Sequence, residues 1–158
     1  MKYFLSHAWS VDNLGRNTHQ RAIELSNALR RRGVATWIDD DCMGEDVDAS
    51  MASGVDSSST VLILLTHTYM EKVNLGAQSG CVQNCHKEFI YAHAMSKRCV
   101  PVVFEPSLLA MDKWPSGVVK LYLASTLFID GSGDDMELVA ERILQRERAK
   151  RSTIRLYL

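Results

Sequence analysis

The stretch "QNCHKEF", residues 83–89, places Cys85, His86, Lys87 and Glu88 side by side. Side chains of these types support several kinds of chemistry. Cys81, Cys85 and His86 lie close enough in sequence to share a zinc ion, yet no second ligand pair with suitable spacing occurs elsewhere in the chain, so no metal site is expected. His86-Lys87-Glu88 also mimics the H-x-E of zinc deaminases, whose downstream P-C-x-x-C is missing. There is no G-x-S-x-G elbow for an esterase-like serine. "GSGDD", residues 131–135, reads as a turn and helix cap, because it lacks a complete phosphate-loop fingerprint. A lone carboxylate remains. Glu88 could stabilise a developing positive charge, or it could serve only as a helix-dipole partner worth ~0.3–1 kcal/mol. Its placement decides between them.

Bulk properties narrow the field. The chain has 158 residues, of which 46% are hydrophobic, enough for one domain with a full core. A formal net charge of -1 gives no reason to expect nucleic acid or an anionic membrane as the main partner. The four cysteines show no paired C-x-x-C spacing and read as reduced thiols in a cytoplasmic protein. "MKYFLSHAWS" lacks the apolar core of a signal peptide, and "VLILL", residues 61–65, is too short to span a bilayer. The expected domain covers residues 1–146, with the basic residues 147–158, including "RERAKRSTIR", as a tail or linker.

The elements that must position Glu88 follow from pattern. "YFLSHA" (3–8), "VATWID" (34–39), the continuously apolar "TVLILLT" (60–66), "CVPVVFE" (99–105) and "TLFID" (126–130) read as strands. Pro101 would fit best at an edge or strand start. Between them lie helical patterns. Thr18 can cap a helix carrying Ala22, Leu25 and Leu29, with Gly33 as its stop. Val47, Met51 and Val55 recur every four residues, Phe89 and Ile90 lie in a helix starting near Cys85, and Leu138, Val139 and Ile143 mark the last helix. Residues 67–84 read as a connection longer than the ~12–15 residues of ordinary loops. This βα rhythm predicts an α/β fold, a flavodoxin-like five-stranded parallel sheet of order 2-1-3-4-5 with helices on both faces. Ligands bind such folds beyond the carboxyl ends of the strands, here between strands one and three. Glu88, expected on the first helical turn, would stand at that crevice and be held ionised by the helix dipole.

Four segments in this order resemble the Toll/interleukin receptor (TIR) domain family: "YFLSHAW", "TWIDDDCMGED", "NCHKEF" and "VPVVFEP". The resemblance spans nearly the whole chain. It implies the flavodoxin-like fold and association with other TIR domains through the BB loop, here Asp40, Asp41, Cys42, Met43, Gly44, Glu45 and Asp46. Enzymatic members cleave NAD+ at the nicotinamide–ribose bond with a helix C glutamate, a position Glu88 occupies. NAD+ would then be a substrate, with no separate cofactor. The chemistry suits one carboxylate: the pyridinium leaves neutral, so the acid of ordinary glycosidases is unnecessary, and an anion need only stabilise the oxocarbenium-like ribosyl centre. Water would give ADP-ribose; attack by the adenine ring would give a cyclic product. By the same resemblance Ser6, His7, Ala8, Trp9, Trp37 and Cys85 would line the pocket, the tryptophans as stacking walls and the backbone after Ser6 as a phosphate contact. Many active members carry an arginine just after the first-box aromatic. Here Ala8 and Trp9 stand instead, with Arg16 in the following loop as the candidate replacement. The other reading is a non-catalytic scaffold that recruits TIR domains.

Overall fold

The computed structural model describes residues 1–39, 46–76 and 84–156. Its frame is a parallel sheet of order β2-β1-β3-β4-β5, the order expected from the sequence. The strands are β1 (Lys2–Ser6), β2 (Ala35–Ile38), β3 (Thr60–Leu65), β4 (Arg98–Val103) and β5 (Ile129–Asp130). β3 is central and buried at every residue, which explains its unbroken apolar run. Pro101 lies in β4 opposite Ile63 of β3. The short β5 pairs only with Val102 and Val103, so the ladder on that side does not reach Pro101.

The helices are α1 (Thr18–Arg31), α2 (Val47–Asp56), α3 (His67–Leu75), α4 (Asn84–Ala94), α5 (Val118–Leu123) and α6 (Met136–Leu156). Side chains alternate across the sheet and feed two cores. Tyr3, Leu5, Leu62 and Leu64 meet Leu25 and Leu29 of α1 and Val139 and Ile143 of α6. Phe4, Ile63 and Leu65 meet Met51 and Val55 of α2, Tyr69 and Val73 of α3 and Phe89 of α4. Helices thus cover both faces. No helix among the described residues is long and apolar enough to cross a membrane.

Local detail differs from the sequence reading in several places. Residues 67–75, expected as part of a long connection, form α3. The Thr66 hydroxyl caps this helix by accepting from the Tyr69 N–H at 3.1 Å, so what reads as the last residue of a strand is a helix N-cap. α1 is capped by Asn17, whose side chain accepts from the Gln20 N–H, and not by Thr18. Of the apolar residues that mark the last helix, Leu138 is 47% exposed, while Val139 and Ile143 are buried with Met136 and Ala140. Residues 147–156, within the expected basic tail or linker, continue α6 as helix.

Candidate active site

β1 ends at Ser6, at the topological switch point of the sheet, with β2 on one side of β1 and β3 on the other. Three buried polar side chains meet there: Ser6 and Tyr69 at 0% exposure and Glu88 at 2%. The Ser6 hydroxyl donates to Glu88 Oε2 at 2.5 Å. Ser6 Oγ also lies 2.9 Å from the Tyr69 hydroxyl. Each residue comes from a different element. Strand alternation turns Ser6 toward the face covered by α3 and α4. The capped first turn of α3 carries Tyr69 inward, and α4 presents Glu88 together with Cys85 and Phe89 on its buried side.

α4 begins at Asn84 and its first turn contains no acidic residue, so Glu88 stands just beyond the first turn, one residue further in than expected. Its protonation changes accordingly. Burial pushes the carboxyl up to about 8; the bond from Ser6 opposes this, and Asp39, just after β2, adds to it. The expected stabilisation of the ionised form by the helix dipole is therefore outweighed by desolvation, which disfavours a charge in a dry core.

The remaining expected site residues divide by role. Ala8 and Cys85, 2% and 4% exposed, belong to the apolar core on the α4 side. Burial pushes the Cys85 thiol up to about 12, so it carries no nucleophilic thiolate at neutral pH. Trp37 stacks on Phe4, with ring centroids 4.5 Å apart and planes within 9°, so that face of its indole is occupied by the core. His7 is buried and its Nε2 lies 2.8 Å from His19 Nδ1. Burial, reinforced by His19, lowers His7 to about 4, so it is neutral under ordinary conditions. Trp9 is 44% exposed and stacks on His19 with centroids 3.6 Å apart. Trp9, His19 and His7 therefore form a column beside the end of β1, with one indole face on the imidazole.

Arg16 is not free to bind a phosphate in this arrangement. Its guanidinium donates to Asp12, to the carbonyls of Ser132 and Phe104, and to Asp134. Arg21 is buried alongside, donating to the carbonyls of Phe104, Gly131 and Gly133 and lying 4.4 Å over the Phe104 ring. Beside them Glu105, just after β4, accepts from the Asn13 N–H at 3.3 Å and from the His67 N–H at 2.8 Å, at the start of α3. These contacts tie the loop after β1 to the ends of β4 and β5, and so fix the column built on Trp9.

Of the expected BB loop, residues 40–45 lie outside the described residues; Asp46 caps α2 by accepting from the Ala49 N–H. Cys81 also lies outside them, and among the described residues no three His, Cys, Asp or Glu side chains converge as a metal site would require. Sequence reading missed Tyr69, His19, Asp39, Arg21 and Glu105. Only Tyr69 left a signal, through the capping threonine three residues before it.

Comparison with known proteins adds the family. The family described as "TIR domain" matches residues 4–144. No curated protein matches the chain. Among solved structures, the chain is similar to the TIR domain of the Toll-related receptor TRR-2 from the lower metazoan Hydra magnipapillata. The two share 16% identity with a TM-score of 0.54, over 92% of this chain and 95% of that one. At that identity the likeness concerns the fold.

Proposed function

The chain belongs to the TIR domain family, and from that premise we propose that it is an NAD+ glycohydrolase with Glu88 as the essential carboxylate. It releases nicotinamide and leaves ADP-ribose or a cyclic ADP-ribose, in a signalling role of the immune or cell-death type. The observation that carries this reading is the seat of Glu88: a buried carboxyl at the carboxyl end of β1, hydrogen-bonded to Ser6, at the switch point of the sheet near which such folds take ligands.

The raised pKa fits the substrate. With a pKa of about 8, Glu88 is largely neutral at pH 7 in the free protein. The cationic pyridinium of NAD+ beside it favours the carboxylate, so binding charges the group that the reaction needs. As the glycosidic bond breaks, nicotinamide departs neutral and the positive charge moves to the ribose. A carboxylate in a low-dielectric site is worth most against that charge. Trp9, with one indole face on His19, is the candidate stacking surface for a base.

At 2% exposure Glu88 meets substrate only after covering groups move. That fits a site completed by self-association, with a neighbour's BB loop contributing. The test is nicotinamide release from NAD+ by the purified protein, at low and at crowded concentration. Wild type is expected to be active and Glu88→Ala at least ~100-fold weaker. Equal activity of the two proteins would remove Glu88 from its role.

The rival is a non-catalytic scaffold acting by homotypic TIR–TIR association. One observation favours it: Arg16 is bound up by Asp12, Asp134 and two carbonyls, and Ala8 and Trp9 stand where many active relatives have arginine. Absence of turnover at both concentrations, together with dimers or filaments, would select the scaffold.

A further inference from the structure

The two hydroxyls beside Glu88 have a job of their own. We propose that Tyr69 and Ser6 form a hydroxyl relay that favours the ionised form of Glu88 against burial and fixes its orientation, making both positioning residues for the carboxylate. Tyr69 Oη, Ser6 Oγ and Glu88 Oε2 follow one another at 2.9 and 2.5 Å, with the two hydroxyl residues fully buried. In a dry site the direction of each bond matters. When Glu88 is ionised, Tyr69 donates to Ser6 and Ser6 donates to the carboxylate, one proton in each of two bonds. Adding a proton to Oε2 puts a third proton into a chain with two bonds. Adding it to the other oxygen leaves Ser6 donating to a neutral acceptor, a weaker bond than to an anion. Either way the relay disfavours the neutral acid.

Other charged groups act differently. Asp39, after β2, opposes ionisation of Glu88, and Cys85 on the same helix is a neutral thiol. The phenol of Tyr69 is pushed well above its ordinary range by burial, so it stays a donor. Lys72 of α3 lies near Cys85, and Lys87 is drawn away to Asp48 of α2. The relay is thus the arrangement among the described residues that directly hydrogen-bonds the carboxylate.

The catalytic meaning of this relay rests on the reading of Glu88 given above; the titration does not. The experiment is a pH titration of the Glu88 side-chain carboxyl by carbon-13 NMR in wild type, Tyr69→Phe and Ser6→Ala. Both variants remove one oxygen from a buried position without adding bulk. Losing the bond to the carboxylate in Ser6→Ala, or the bond that orients the Ser6 hydroxyl toward it in Tyr69→Phe, is expected to raise the midpoint by about one pH unit in each. Midpoints that stay in place or fall in both variants would overturn the relay. Nicotinamide release is measured on the same proteins. The relay predicts that kcat/KM at pH 7 falls about tenfold in each variant and recovers at alkaline pH, which a merely structural defect would not produce. If the NMR midpoints rise but wild type releases no nicotinamide, the relay stands and the glycohydrolase reading falls.

Discussion

Glu88 and His7, two residues near the end of β1, are pulled by burial in opposite directions on the pH axis. Burial favours the neutral form of each, raising Glu88 to about 8 and lowering His7 to about 4. For Glu88 the folded value lies above the ordinary 4.5, so the folded state holds the proton more tightly. The stability this contributes is complete below about 4.5 and is lost as pH rises through about 8. For His7 the folded value lies below the ordinary 6.5, so its contribution is present above 6.5 and is lost as pH falls through about 4. Glu88→Gln removes the alkaline loss and keeps an oxygen for Ser6. Its Tm at pH 9 is therefore expected to rise by roughly 5 °C over wild type, shrinking to nothing near pH 4, while nicotinamide release is lost. Thermal melts of both proteins across that range check the sign. A Tm gain that is equal at pH 4 and pH 9 would show that ionisation of Glu88 is not the cause. Glu88 could be singled out in the sequence by its company and its family position. Its protonation could not, because desolvation depends on neighbours distant in the chain.

At the scale of elements, the site depends on three pieces meeting: the end of β1, the first turn of α3 and the inner face of α4. β1 and α4 are legible as apolar patterns, whereas α3 is hidden behind a threonine that reads equally well as strand. Close approach of α2 to the sheet is equally hidden. Gly54 packs against Trp37 and Phe4 so tightly that a Cβ there would sit 2.7 Å from two Trp37 ring atoms and 3.0 Å from Phe4. Gly54→Ala is expected to cost about 1–3 kcal/mol as an overpacked core, read as a lower urea midpoint with an unchanged slope. If Trp37 serves packing more than ligand stacking, the same variant loses stability while its KM for NAD+ stays unchanged; a selective rise in KM would return Trp37 to the substrate.

Over the whole molecule, self-association is the expected route from a covered carboxylate to a working one. Nicotinamide release per molecule should therefore rise with protein concentration and with crowding; a specific rate constant over a hundredfold dilution would make the monomer self-sufficient. The sequence by itself determined the sheet order, the two-sided covering by helices and the nomination of Glu88. Each follows from signals local in the chain: the apolar β3, the alternation of strand and helix patterns, and short motifs in a fixed order. It also led to an ionised glutamate on a first turn, an available Arg16 and tryptophan walls. Tertiary structure decided otherwise for the first two and turned one face of Trp37 to the core. Arg16 is held by carbonyls from the far side of the sheet, Phe104 and Ser132. Glu88 is bonded across 82 positions of sequence to Ser6 and lies in a dry core. Burial and long-range hydrogen bonding set the charge of a buried acid and the freedom of a guanidinium, and neither exists until the chain has folded.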